Sequence, residues 1–199
     1  MVDLTKERFN LYHSHIYLLD EEGKNLVLTA GAGEPGRIMT AEKRSIPLNS
    51  ENSLVARAAR TKQGAISNNV ALEADFLPNP LLPDTRSEMA IPMVVGDQVV
   101  GVYDVQANNV NHFIEEDVRI QTTLATQVAV AVQNARAFSQ AQRQAERESK
   151  LNEINQKIQG ATSVEAVLQI AARELGRALG APLTVAQLGM REHNNSSNN

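Results

Sequence analysis

Apolar and polar positions alternate through the middle of the chain. Within residues 87–106, two apolar runs surround a Gly96-Asp97 pair, and both alternate sets of side chains are apolar at their centres. A Gly-Asp pair between β-branched residues is typical of a two-residue hairpin turn, because glycine readily adopts the positive φ that such a turn needs. The sequence therefore predicts a β-hairpin that the rest of the chain covers on both faces.

Shorter apolar segments on either side predict the remaining elements. We predict the end of a helix over residues 3–10 and a second helix, capped by Asn49 or Ser50, over residues 54–61. Further strands are predicted over residues 14–19, 25–30, 44–48 and 65–67. Residues 68–85 are predicted to be irregular, and a loop of that length in a compact domain is usually functional or mobile.

Gly31, Gly33 and Gly36 have the spacing GxGxxG that occurs in dinucleotide-binding loops. The phosphate-binding form of this motif requires a helix to begin immediately after it, so that backbone N–H groups face the anion. We predict a polar loop and another strand after these glycines. The motif is therefore interpreted as a connection between strands.

Residues 115–159 contain neither glycine nor proline, which predicts one long helix. Apolar residues at spacings of three and four form a thin seam along it, flanked by charged residues. Such a seam normally packs against a partner helix, so we predict a homodimer; a solvated single helix is the alternative. The predicted seam consists of Leu124, Val128, Ala131, Ala135, Phe138, Ala145, Leu151 and Ile158.

The pattern changes after Gly160. Thr162-Ser-Val-Glu165 is a capping box that begins an amphipathic helix, and a strand is predicted over residues 183–188. This order of elements repeats the start of the chain. We therefore predict a first domain over residues 1–138 with a truncated N-terminal helix, a coiled-coil linker over 139–160, and the truncated start of a second domain over 161–189. The chain would then be an excerpt of a longer protein, ending in a disordered tail over residues 190–199.

Composition narrows the classes of function. The net charge is −4 and the basic residues are scattered, so we expect no nucleic-acid partner. No apolar run approaches the roughly 20 residues that span a bilayer, and the N-terminus lacks a signal-peptide pattern. We therefore expect a cytoplasmic location without a membrane partner. The absence of cysteine excludes disulfides, thiolate metal sites, thiol catalysis and a thioether-linked chromophore.

Several segments, in their order along the chain, carry a family resemblance. They are HIYLLD, NLVLTAGAGEPG, IPLNSENSLVARAARTKQGAISNNV, RSEMAIPMVVGDQVVGVYDVQ and FIEEDVRIQTTLATQVAVAVQNARAF. From about Leu4 to Phe138 the chain resembles a GAF domain, in particular those repeated in tandem in bacterial sensors such as histidine kinases. The resemblance implies an α+β fold: an antiparallel sheet with helices on one face, a pocket on the other that residues 49–85 close, and a long signalling helix.

GAF domains bind cyclic nucleotides, bilins, haem or other small ligands, and some serve only in dimerisation and relay. Phe113 and Asp117 fit part of the cyclic-nucleotide motif, but Val118 stands where a glutamate belongs and the Asn-Lys pair is missing. Members that reduce free methionine sulfoxide work through cysteines, and most bilin binders attach through one. We therefore leave the cofactor unknown, exclude a covalent bilin, and expect that the chain is not an enzyme.

Two other groups of residues have simple structural interpretations. Glu115, Glu116 and Asp117 begin the long helix, where acidic residues are favoured by the helix dipole. His13 and His15 point to one face of a strand, and we interpret them as structural or surface histidines because no metal-binding partners lie nearby in the sequence.

The resemblance also indicates which residues would line a ligand pocket. Arg86 could bind an anion bidentately, although an ion pair with Glu88 or Asp84 is the alternative. We predict a non-catalytic sensory module that senses a small molecule or partner and signals through a dimeric helix in a bacterial signal-transduction protein; the alternative is a ligand-free dimerisation domain. The candidate pocket residues are Ser53, Asn68, Asn69, Asp75, Phe76, Arg86, Ser87, Glu88 and Met89.

Overall fold

The computed structural model describes residues 1–73, 76, 78–178 and 180. The chain divides into two compact units, one over Met1–Ala137 and one from Phe138 onward. The strand predicted over residues 183–188 and the predicted tail lie outside the described residues. The predicted boundaries of the domains and of the linker stay predictions.

The first unit is built on a six-stranded antiparallel sheet of order β3-β2-β1-β6-β5-β4. Its strands are β1 (His13–Leu19), β2 (Asn25–Gly31), β3 (Ser45–Pro47), β4 (Ala65–Ser67), β5 (Ser87–Val95) and β6 (Gln98–Ala107). The helices are α1 (Val2–Arg8), α2 (Gly33–Ala41), α3 (Leu54–Thr61), α4 (Glu115–Gln159) and α5 (Val164–Ala178), with a 3₁₀ turn over Val70–Leu72. The predicted α+β class, with an antiparallel sheet and a long helix, is confirmed.

The central hairpin forms as predicted. Val95 pairs with Gln98 across the turn, and Gly96 has a φ of 58°, which glycine adopts at little cost. Because side chains alternate along β5 and β6, each strand contributes to both faces of the sheet. The hairpin therefore separates two cores.

One core lies between the sheet and helices α1 and α4. It contains Met89, Ile91 and Tyr103 from the hairpin, packed with Ala125 and Ala129 of α4. The other core lies between the sheet and helices α2 and α3. It contains the alternate residues of the strands together with apolar residues of those two helices: Tyr17, Leu26, Leu28, Ala90, Val102, Met39, Leu54, Val55, Ala56, Ala58 and Ala59.

Helix α2 replaces the loop that we predicted over residues 31–37. The backbone N–H of Gly33 donates to Asp3 Oδ1 at 2.8 Å, so a carboxylate of α1 meets the first turn of α2. A Cβ placed on Gly36 would lie 2.0 Å from the carbonyl carbon of Gly31, which means that only glycine allows this approach of helix and strand. Our argument that no helix follows the GxGxxG spacing was wrong, because the signal for α2 comes from these tertiary contacts.

The second unit contains the C-terminal part of α4 and helix α5. Lys157 Nζ lies 2.6 Å from Glu153 Oε1 and 3.5 Å from Glu174 Oε1, and the second of these contacts joins the two helices. The N-terminus of α5 is capped by Ser163, whose Oγ accepts from the backbone N–H of Ala166 at 3.2 Å. The predicted cap was the preceding residue, Thr162.

Candidate functional site

A group of buried polar side chains lies on the α3-facing side of the sheet. His13 and His15 come from β1, Glu88 from β5, and Asp104 and Gln106 from β6. We call these five residues the polar cluster. Strand pairing brings them together, because Gln106 is opposite both His13 and Glu88 while Asp104 is opposite His15. None of the five is more than 7% exposed.

Asp104 is at the centre of the hydrogen bonds in the cluster. Its Oδ2 accepts from His15 Nδ1 at 3.1 Å and from Gln106 Nε2 at 3.0 Å. Gln106 Oε1 in turn accepts from Thr85 Oγ1 at 2.7 Å. Since a carboxylate can only accept, His15 Nδ1 is the donor of this bond, and Nε2 is the ring nitrogen left without a partner.

The cluster nevertheless leaves hydrogen-bonding atoms unused. His13 Nε2, His15 Nε2 and Asp104 Oδ1 are buried and have no hydrogen-bond partner among the described residues. Most buried polar atoms in native proteins are paired, so each exception needs an explanation. Three of the six such side-chain atoms among the described residues lie in the polar cluster, and the others belong to Ser67, Tyr103 and Gln121. The group of three makes the cluster a candidate binding site.

A cavity lies next to the polar cluster. His15, Glu88, Asp104 and Gln106 line it, and the remaining polar lining consists of Tyr17, Arg44, Ser53 and Asn79. The space open to the centres of water molecules is about 30 Å³, which is room for about two waters. In this conformation the cavity fits a small polar group, and it is too small for a nucleotide or a tetrapyrrole.

Burial shifts the ionisation of the groups around the cavity. The pKa of Glu88 is raised well above its usual value, first by burial and then by the charge of Asp104 and a hydrogen bond with it, while Arg57 acts in the opposite direction. Burial, followed by the proximity of His15 and Lys6, lowers the pKa of His13 to about 3. Both shifts favour the neutral form, as expected where charge is poorly solvated.

The segment 68–86, which we call the strap, reaches the cavity through Asn79, which is part of the lining. Asn79 holds the strap in place: its Oδ1 accepts from Arg44 Nη1 at 3.0 Å, and its Nδ2 donates to Met39 Sδ at 2.8 Å. Leu82 of the strap is buried in the α2–α3 core. At the end of the strap, Thr85 bonds to Gln106 of the polar cluster.

Ser53 and Glu88 are the predicted pocket residues that line the cavity. Ser53 also caps α3, since its Oγ accepts from the backbone N–H of Ala56 at 3.2 Å. Asn68 instead holds the loop before α4, because its side chain bonds to both the N–H and the C=O of Phe113. Asn69 caps the 3₁₀ turn.

Other predicted pocket residues lie elsewhere. Met89 packs in the core against α4, because alternation along β5 turns it away from the face that carries Glu88. Ser87 shares the orientation of Met89 and donates to the backbone of Asn109. Arg86 is exposed and its guanidinium donates to backbone carbonyls of the strap, so it does not reach the cavity. Phe76 is half-buried and is not part of the lining, and Asp75 lies outside the described residues.

Sequence reasoning missed most of the cluster. His13 and His15 are fully buried, so the surface interpretation is corrected. A usable signal was present: buried polar residues lie two apart in both strands, His13 and His15 in β1 and Asp104 and Gln106 in β6. Such a pattern places several polar groups on one buried face.

Over residues 1–73, 76, 78–178 and 180, no group of three His, Cys, Asp or Glu side chains is arranged to hold a metal ion. In the same part of the chain, no helix has the length and apolar character that crossing a membrane requires.

The family is decided by a sequence comparison: the family model of the GAF domain matches residues 1–133, about two thirds of the chain. The chain belongs to the GAF family. A comparison with curated protein sequences finds no match.

Solved structures share the fold. The GAF domain of an Acinetobacter phosphoenolpyruvate-protein phosphotransferase is 24% identical with a TM-score of 0.61, covering 70% of this chain and 82% of that one. Part of a methyl-accepting chemotaxis protein is 19% identical with a TM-score of 0.57, covering 69% and 87%. The free methionine-R-sulfoxide reductase of Neisseria meningitidis, solved with its substrate, is 20% identical with a TM-score of 0.57, covering 68% and 75%.

These neighbours correct one expectation. We expected that the chain is not an enzyme, but GAF-fold neighbours include free methionine-R-sulfoxide reductases from three organisms, and these are enzymes. The fold therefore gives no ground for that expectation. At identities below 25%, the likeness establishes the fold alone.

Proposed function

We propose that this GAF domain is a sensory module that binds a small polar molecule in the cavity beside the polar cluster. It would relay the bound state through α4 within a bacterial signal-transduction protein. The observation that carries the proposal is the set of buried, unpaired polar atoms beside a cavity. Leaving such atoms unpaired costs stability, and a ligand that pairs them recovers that free energy. Ionisable groups with shifted pKa values beside a cavity are typical of functional sites.

A first route from the cavity to α4 runs through the sheet. Asp104 faces the cavity, while its neighbours Tyr103 and Val105 belong to the core that also contains Ala125 and Ala129 of α4. A ligand that moves β6 therefore changes what α4 packs against. Because packed cores resist continuous deformation, we expect α4 to respond by a small discrete shift.

A second route runs through the strap. One end is tied to the polar cluster by the Thr85–Gln106 hydrogen bond. The other end is tied to the residues just before α4, since Asn68 bonds to the backbone of Phe113 at 2.9 and 3.2 Å. Displacement of Gln106 by a ligand would therefore act on the start of α4.

In this proposal the signal passes from the cavity to a homodimer formed through α4. Phe138 is 72% exposed and Leu151 is 60% exposed, and Ala131, Ala135 and Ala145 are exposed as well. Within the same predicted seam, Leu124, Val128 and Ile158 are half-buried, and Val128 packs against the core of its own unit. Exposed apolar residues at helical spacing are what a second copy of α4 would cover.

Thermal unfolding tests the binding proposal. We expect at least one class in a panel of amines, amino acids, nucleosides and small carboxylates to raise Tm, because a ligand at 100 times its Kd adds about 2.7 kcal/mol. Asp104→Asn should remove the shift, whereas Asp97→Asn, in the exposed turn of the hairpin, should retain it. If no compound stabilises the wild type, the ligand-free dimerisation domain is the better description.

Sedimentation measures the dimer. We expect the wild type to dimerise with rising concentration and Phe138→Glu to remain monomeric. Gln140→Glu adds the same charge on the side of α4 opposite Phe138, and it should leave the association unchanged. A wild type that is monomeric at every concentration would remove the dimer from the proposal and leave the cavity in place.

A further inference from the structure

The unused hydrogen-bonding capacity beside the cavity includes a carboxylate oxygen, which can only accept. Asp104 Oδ1 belongs to a carboxylate whose other oxygen already accepts two hydrogen bonds. His15 Nε2 is also without a partner, and it accepts in the tautomer that carries its proton on Nδ1. Asp104 and His15 are both about 1% exposed, and both line the cavity. A molecule in the cavity can therefore pair Asp104 Oδ1 only by donating a hydrogen bond to it.

Some of the protein's own donors near Asp104 bond within the cluster or to the strap. Gln106 Nε2 donates to Asp104 Oδ2, Thr85 Oγ1 donates to Gln106 Oε1, and Arg44 Nη1 donates to Asn79. A further donor next to Asp104 is the carboxyl proton that the raised pKa keeps on Glu88, which bonds to Asp104. A donor that enters the cavity can take the place of that proton.

The two carboxyl groups beside the cavity favour a cation as that donor. Glu88 and Asp104 are two carboxyl groups in one buried site, which raises the pKa of Glu88, so that a proton keeps the pair from carrying two charges. A cation placed between them can replace that proton. The other ionisable groups that face the cluster are His13, His15, Tyr17, Arg44, Arg57 and Lys6. The positive charges of Arg44 and Arg57 act against a cation, so its direct contacts with Asp104 and Glu88 have to outweigh them.

The size of the cavity limits which cationic group can enter it. About 30 Å³ of space for water centres holds roughly two non-hydrogen atoms. That is the size of an ammonium group and the carbon that bears it. A guanidinium or a quaternary ammonium group is larger.

We propose that the cavity takes the ammonium head group of a small primary amine, with its N–H groups donating to Asp104 Oδ1 and His15 Nε2 and with Glu88 as the second carboxylate. This inference rests on the proposed function, because it names the chemical class of the ligand at that site. The remainder of such a ligand would extend towards the strap.

Methylammonium is the probe, since it has two heavy atoms and three N–H donors. Two heavy atoms can supply at most millimolar affinity, so binding is measured by NMR of the His15 ring at constant ionic strength. Three comparison probes separate the contributions: methanol has the same size without the charge, tetramethylammonium has the charge without N–H donors, and formate has the opposite charge. We expect a saturable millimolar response to methylammonium alone.

Two variants and a pH series test the assigned roles. Asp104→Asn should weaken methylammonium binding at least tenfold, and Asp97→Asn should leave it unchanged. If Asp104→Asn fails to fold, Glu88→Gln provides the same test, because it removes the second carboxylate and keeps the shape. In the wild type the affinity should rise with pH, by up to tenfold per unit, because the cation displaces the proton of Glu88.

The inference is overturned if methanol or formate binds as tightly as methylammonium, or if methylammonium gives no saturable response. In the second case, the metabolite panel distinguishes the two proposals. Stabilisation of the wild type by another class of compound would leave the proposed function standing and refute only the amine. No stabilisation by any compound would refute both.

Discussion

Acid should destabilise this domain through His13, whose buried ring is held neutral. Its folded pKa is about 3 against about 6.5 for an exposed histidine. Between these two values the unfolded chain binds a proton that the folded chain does not, so stability falls as pH falls. From pH 7.5 to pH 4.5, the loss attributable to this ring is about 2.7 kcal/mol.

Urea unfolding of the wild type, His13→Gln and His13→Leu at half-unit steps over this range measures the effect. The two variants pack differently, so their stabilities at pH 7.5 should differ from each other. Both variants should nevertheless lack the part of the pH dependence of unfolding that His13 causes in the wild type, because neither glutamine nor leucine titrates. Glu88 contributes a slope of opposite sign in this range, but it is present in all three proteins and cancels in the comparison. Slopes equal to that of the wild type in both variants would refute the reasoning.

Further predictions concern Glu88 and the approach of α2 to the sheet. Since the pKa of Glu88 is raised, the contribution of Glu88 to stability should fall as pH rises above about 4.5, opposite in sign to that of His13. The stability of Glu88→Gln relative to the wild type should therefore grow by up to about 1.4 kcal/mol per unit; urea unfolding showing a constant difference would contradict this. Gly36→Ala should cost at least about 1–3 kcal/mol, because its Cβ meets the Gly31 backbone at 2.0 Å. Gly160→Ala, whose nearest contact is 3.4 Å, is the matched control and should change stability by less than about 1 kcal/mol.

The elements that could be predicted are those whose signals are local. The bounds of α3, β4 and α4 follow from short apolar runs and the absence of glycine and proline, and the structure has the same bounds. The predicted cap of α3, Asn49 or Ser50, was wrong, because the Ser53 side chain accepts from the N–H of Ala56. Helix α2 could not be predicted in this way. Its sequence, GEPGRIMTA, begins with residues typical of loops, and the helix depends on Asp3 at its N-terminus and on the close contact between Gly31 and Gly36.

The site was predicted less well than the fold, for a geometric reason. We assigned consecutive residues of β5 to one pocket, although alternation sends Glu88 to the cavity and Met89 to the opposite core. The partners of Glu88 come from β1 and β6, and only the register of the sheet brings His15 and Asp104 together. That register is fixed by the fold, so a set of neighbouring residues in the sequence could not reveal it.

The central claim is that the polar cluster is retained for binding and not for folding. The most direct measurement is the free energy of unfolding of a variant that combines His15→Leu, Asp104→Val and Gln106→Met. Replacing a buried ionic group by apolar side chains of similar size is often neutral or stabilising. We therefore predict a stability within about 1 kcal/mol of the wild type, or above it, together with the loss of every ligand-induced shift in Tm. A loss of more than about 3 kcal/mol would contradict the claim, because it would show that the cluster stabilises the fold.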